Sequence, residues 1–96
     1  MDKKINLVCK ARIGNYRRIS KKALSIAKKN ISKGKEEEAK EIINMAECYI
    51  SDSEHFEKKG HFVNAFACLN YAHGWIDSGV RLEIFNVKDN KLFTIK

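Results

Sequence analysis

Proline is absent from the 96 residues, and glycine occurs only five times. With the commonest helix breaker missing, few positions compel a long helix to end. Cysteine is scarce as well. Cys9, Cys48 and Cys68 are an odd, scattered set beside apolar neighbours, without the paired spacing of metal or redox sites, and they read as small buried thiols. No apolar run approaches the length of a membrane span, and the apolar part of Met1–Lys10 is too short for a signal-peptide core. A cytoplasmic protein that does not engage the membrane is therefore expected.

What is present suits one globular unit. Apolar residues make up 44% of the chain and charged residues 32%, a balance unlike that of a disordered tail. A chain of this length has apolar surface for one core, so residues 1–96 are expected to form a single helical domain. The net charge of +7 is unevenly distributed. Residues 1–35 carry +11, residues 36–60 carry −5 and residues 61–96 carry +1. Such polarity can orient a partner or match one helix to its neighbour.

Three amphipathic stripes predict three helices. At 100° per residue, Ile5, Val8, Cys9, Ile13, Tyr16, Ile19, Ala23, Ile26, Ala27 and Ile31 share one face, with lysines and arginines on the opposite arc. This places a first helix over about 3–31. Arg12 falls within the apolar stripe and must reach outward or find an acid. Glu36, Glu37 and Glu38 follow Gly34 where a helix N-terminus favours negative charge, so a second helix is expected over about 35–58. Its inner face is Ala39, Ile42, Ile43, Ala46, Tyr49, Ile50, Ser53 and Phe56, and Lys58-Lys59-Gly60 closes it.

The third helix is expected over about 61–85, with Phe62, Ala65, Leu69, Ala72, Ile76, Gly79 and Val80 inward and Cys68, Trp75 and Leu82 widening the stripe. So wide an apolar arc makes it the central element. Ala65, Ala72 and Gly79 are small enough for a neighbouring backbone to approach closely. Beyond it, residues 87–96 contain an Asp89-Asn90 turn and Leu92-Phe93-Thr94-Ile95, which favour an extended or hairpin-like tail. The fold class is all-α: an up-and-down three-helix bundle with that short tail.

Candidate functional residues fall in two groups. Asn70, His73, Asp77 and Arg81, with Phe66, are spaced by three and four along one line of the third helix. They suit either a helix-stabilising network, closed by Arg12 or Tyr16, or a site for an anionic or polar ligand. The second group is Arg17, Arg18, Lys21, Lys22, Lys28 and Lys29, a basic face able to meet phosphates of RNA or DNA. Pairing with the acidic second helix explains much of the same pattern, and no aromatic platforms alternate with these charges.

Enzyme chemistry is poorly supported. His73 with Asp77 offers a base and its orienting carboxylate, but Ser78 points about 140° away around the helix, and no catalytic residue is assigned. His55, His61 and His73 form no ligand-like interval with cysteine, so neither a metal nor a cofactor is expected. A non-enzymatic binding or interaction module is the leading reading. Its partner is another protein or a second copy, engaged through Phe66, Trp75 or Phe85; weak electrostatic RNA binding is the alternative, and a hydrolase comes last.

One segment carries a family resemblance. Phe62-Val63-Asn64-Ala65-Phe66-Ala67, followed by Tyr71-Ala72-His73-Gly74-Trp75-Ile76-Asp77-Ser78-Gly79-Val80-Arg81-Leu82, resembles the core of an archaeal family of small uncharacterised proteins, domain of unknown function 357. The likeness extends over roughly residues 12–95. It implies an up-and-down three-helix bundle, similar in shape to small immunoglobulin-binding and albumin-binding domains without implying their function. The resemblance brings no activity, cofactor or ligand, and it marks His73, Gly74, Trp75, Asp77, Gly79 and Arg81 as its signature.

Overall fold

A computed structural model describes the backbone of residues 3–88 and the side chains of residues 10–88. Three helices follow one another: α1 (Lys3–Lys28), α2 (Glu36–Lys58) and α3 (Phe62–Arg81). They form an all-α three-helix bundle, with no named strand among the described residues. The Ile5, Val8 and Cys9 part of the first stripe, and Leu92-Phe93-Thr94-Ile95 of the tail, lie outside the residues whose side chains are described.

Periodicity selected the core well. Ile13, Ala23 and Ala27 of α1, Ala39, Ile42, Ala46 and Ile50 of α2, and Ala65, Leu69, Ala72, Ile76 and Val80 of α3 are all buried in one cluster. Ser20 and Leu24 join the inner face of α1. The α3 helix packs most extensively against α2 and next against α1, while α1 and α2 touch least, so α3 is the central element. Arg12 resolves its conflict with the apolar stripe by standing exposed at the edge of the bundle.

Local chemistry sets the ends of α2. Glu36, Glu37 and Glu38 occupy its first turn, and the Gly34 N–H donates to the Glu36 carboxylate at 3.3 Å. At the other end the N–H of Gly60 donates to the Glu57 carbonyl and that of His61 to the Phe56 carbonyl. This pair of bonds needs a left-handed residue between them, and Gly60 supplies it at φ +81°.

Two other boundaries depart from the periodic pattern. The α1 helix stops at Lys28 rather than Ile31, and α3 stops at Arg81 rather than Phe85. The cause is one contact: Ile31 and Phe85 form an antiparallel bridge. The Ser32 N–H donates to the Ile84 carbonyl at 2.9 Å and the Asn86 N–H to the Asn30 carbonyl at 2.7 Å. To reach it, the chain turns out of α3 through Glu83, a non-glycine residue in the left-handed region at φ +64°. The N–H groups of Glu83 and Ile84 close the helix end on the carbonyls of Val80 and Gly79.

This turn carries the Phe85 ring back into the core, where it is 1% exposed. It rests on Gly79, at which an added Cβ would stand 2.5 Å from Phe85 Cε2. The small residue expected to admit a neighbouring backbone admits instead an aromatic ring from just beyond its own helix.

Candidate functional site

The seam between α1 and α2 is polar, and it divides the basic face. Arg17 is held most firmly: its Nη1 lies 2.7 Å from Glu57, and its Nε–H donates to the Ser53 hydroxyl at 3.2 Å. Ser53 is fully buried and donates in turn to the Ile50 carbonyl at 2.6 Å. Along the same edge Lys21 pairs with Glu54 at 3.1 Å and Lys28 with Glu47 at 2.6 Å. The acidic second helix thus engages Arg17, Lys21 and Lys28. Arg18 and Lys22 face solvent on the outer side of α1, where Arg18 donates to Asn15 at 2.7 Å, and Lys29 faces solvent in the turn just past its end.

The α1–α3 contact gathers part of the other group. Tyr16 lies between Phe66 and His73, with ring centroids 5.4 Å and 5.6 Å away. His73 Nε2 is 3.9 Å from an Asp77 carboxylate oxygen, beyond hydrogen-bond length, so this approach is an ion pair only when the imidazole is protonated. Burial pushes the Tyr16 phenol above its usual range, and the Asp77 carboxylate adds to the shift. A neutral phenol can donate a hydrogen bond but cannot serve as a base near neutral pH.

Asn70 and Arg81 are exposed; Asn70 borders the Tyr16–Phe66 side of that cluster, and Arg81 stands apart from it. Asn70 lines an open groove with Arg12, Asn15, Tyr16 and Phe66. Arg81 borders another at the end of the bundle, near Lys33, Lys35, Glu83 and Lys88. The sequence line is therefore split: Phe66, His73 and Asp77 turn toward α1, while Asn70 and Arg81 turn toward solvent. Among the described residues no group of histidine, cysteine and acidic side chains is placed to hold a metal ion. Burial and then the Asp52 carboxylate push the Cys68 thiol up, which keeps it protonated and weakly nucleophilic.

The feature missed by sequence reasoning is the outer side of α3. Asn64, Ala67, Tyr71, Gly74, Ser78 and Arg81 are all exposed, and their spacing of three and four places them along one continuous strip. Beside it stand Val63, 71% exposed, and Leu82, 68% exposed; Tyr71 itself is 62% exposed. Tyr71, Gly74, Trp75 and Ser78 line a shallow groove there. The only formal charge on the strip is Arg81, a signal already present in the sequence as a polar arc almost without charged residues. Of the aromatic residues proposed for an interface, Phe85 is withdrawn into the core, and Phe66 packs on Tyr16.

These observations define a three-helix bundle with a divided basic face and an outer strip whose one formal charge is Arg81. The chain belongs to the DUF357 family of proteins of unknown function, whose family model matches residues 15–85. The match covers the α1–α2 seam, the Tyr16 cluster and all of α3, including its closing turn. No curated protein and no solved structure matches the chain. No helix among the described residues is long and apolar enough to cross a membrane.

Proposed function

We propose that this protein is a non-enzymatic interaction module of the archaeal cytoplasm that docks an apolar-faced helix of a protein partner on the outer side of α3. The observation that carries this reading is the combination of Val63, Tyr71 and Leu82, each more than half exposed, with a strip holding one charge. A solvated helix face ordinarily carries charged side chains, as the outer side of α1 does with Arg18 and Lys22. A surface with large exposed apolar groups among polar ones and a single charge is the pattern of an interaction site.

RNA binding is the second reading, favoured by the outward line of Arg18, Lys22 and Lys29. Its strength is limited, because Arg17, Lys21 and Lys28 are already paired with α2. Three phosphate contacts give a salt slope of only about −2 on single strands. The Tyr16, Phe66, His73 and Asp77 cluster reads as a network that fixes α3 against α1.

The test is site-specific photocrosslinking in living cells, with the reactive residue placed at Ser78 or, as control, at Lys22. The expected result is a protein adduct from Ser78, mapped by mass spectrometry to a helical segment and abolished by Gly74→Glu. Nucleic acid captured at Lys22, with nothing captured at Ser78, would overturn the docking reading in favour of RNA.

A further inference from the structure

We infer that the groove at the end of the bundle, between the loop after α1 and the turn that closes α3, is a binding site for the diphosphate group of a small ligand. The site is separate from the docking reading above and does not depend on it.

The groove is a product of the tertiary bridge. One wall is the loop that contributes Ser32, Lys33 and Lys35, and the other is the end of α3 and the segment beyond it, which contribute Arg81, Asn86 and Lys88. The Ser32 N–H donates to the Ile84 carbonyl at 2.9 Å and the Asn86 N–H to the Asn30 carbonyl at 2.7 Å, tying the two walls together. Within the loop the chain turns at Gly34, φ +87°, and the Lys35 N–H donates to the Ser32 carbonyl at 3.0 Å. Backbone hydrogen bonds thus hold cations that are distant in sequence around one concave space. That space is about 840 Å³, within the roughly 300–1,000 Å³ of small-molecule sites.

Charge selects the class of ligand. Lys33, Lys35, Arg81 and Lys88 share the groove with a single carboxylate, that of Glu83, so its lining carries a net +3. On the α1–α2 seam, by contrast, Arg17, Lys21 and Lys28 each meet an acid. Among the described residues no ion pair involves any of the four groove cations. Like charges around one concavity focus a positive potential on it, and a bound anion relieves their mutual repulsion.

A single phosphate carries about 1.5–2 negative charges near neutral pH, which leaves this groove rich in cations; a diphosphate, with about three, balances it. The Arg81 guanidinium can donate to two phosphate oxygens at once, and the Ser32 hydroxyl and Asn86 amide supply neutral donors. Cations converging from two walls suit a compact anion, whereas an extended strand follows a line of charges along a helix. Leu82, 68% exposed, and Val87 give the groove an apolar flank for the organic part of the ligand.

Equilibrium dialysis of the full chain against labelled pyrophosphate in low salt tests this, with inorganic phosphate, ADP and a single-stranded oligoribonucleotide as competitors. Lys35→Gln and Arg81→Gln alter the groove, while Lys22→Gln and Lys59→Gln remove the same charge elsewhere. All four side chains are exposed, so the variants should keep the helical circular dichroism of the wild type. The wild type should bind one pyrophosphate per chain, and phosphate should compete at least about tenfold more weakly. Each groove variant should weaken pyrophosphate binding at least about tenfold, the loss of one charge-assisted hydrogen bond, and each control variant less than about twofold.

ADP that competes more tightly than pyrophosphate itself supports the site and identifies an organic diphosphate as its source. Equal affinity supports it with the bare anion as the determinant. Absence of pyrophosphate binding overturns the inference. Equal losses in groove and control variants also overturn it, since the attraction then belongs to the +7 chain as a whole. An oligoribonucleotide that requires Arg81 and Lys35, in a chain that does not retain pyrophosphate, replaces the small ligand with nucleic acid.

Discussion

Replacing Gly79 with alanine pits two effects of opposite sign against each other. Alanine in a helix interior is favoured over glycine by about 1 kcal/mol. At Gly79, however, the new Cβ would stand 2.5 Å and 2.6 Å from Phe85 Cε2 and Cδ2, and 3.1 Å from Ile42 Cδ1. The ring has little freedom to yield. Phe85 is 1% exposed, its N–H donates to the Gly79 carbonyl at 3.2 Å, and its backbone is bridged to Ile31. Overpacking of this kind costs about 1–3 kcal/mol, so the net destabilisation should be about 1 kcal/mol. For a chain of this size that lowers the melting temperature by about 4–8 °C.

Phe85→Ala, which itself costs about 3–5 kcal/mol, removes the obstacle. In that background Gly79→Ala should stabilise by about 1 kcal/mol, reversing its sign. Phe85→Leu is the milder truncation if the alanine variant does not fold. Urea and thermal unfolding followed by far-ultraviolet circular dichroism measure all four corners of the cycle. A Gly79→Ala chain more stable than its parent in both backgrounds would refute the reasoning, because the ring would then be placing no constraint on residue 79.

Two further predictions concern the polar contacts. Arg17→Ala should destabilise by about 1.5–3 kcal/mol because it removes charge-assisted bonds to Glu57 and Ser53 in a half-buried seam, with side chains 15% and 27% exposed for Arg17 and Glu57. Lys21→Ala should cost no more than about 0.5 kcal/mol, since the Lys21–Glu54 pair is solvent-screened; equal losses in urea unfolding would contradict the contrast. For Tyr16 the folded chain holds the phenolic proton more tightly than the unfolded chain, whose group titrates at the ordinary 10.0. Its contribution is complete below that pH and is lost as pH rises through the higher folded value. Melting temperature should therefore fall less steeply above about pH 10 in Tyr16→Phe than in wild type, and parallel profiles would reject the shift.

The number of helices, their inner faces and both ends of α2 were legible in the sequence, because they depend on local quantities. A 100° period selects buried positions such as Ile42, Leu69 and Ile76 wherever the helix finds a neighbour. Glu36 to Glu38 and Gly60 act within one turn of the chain. The candidate site was legible in composition but not in arrangement. His73 and Asp77 do stand within one turn of each other, and the basic and acidic helices do meet. The sequence offered Arg12 or Tyr16 as the residue closing this line, but periodicity along α3 could not decide that Tyr16 takes Phe66 and His73 while Asn70 and Arg81 stay exposed.

Tertiary structure alone decided the rest. The early ends of α1 and α3 arise from the pairing of Ile31 with Phe85, residues distant in sequence whose hydrogen bonds with their neighbours replace helical ones. Nothing local predicts a left-handed Glu83, which holds its conformation because the bridge and the buried ring over-determine it. The division of the basic face follows from which side of α1 meets the acids of α2, and the exposure of the Asn64 to Arg81 strip follows from which sides of α3 those helices cover. A sequence specifies what each residue favours by itself and beside its near neighbours; which of those preferences meet is a property of the packed bundle.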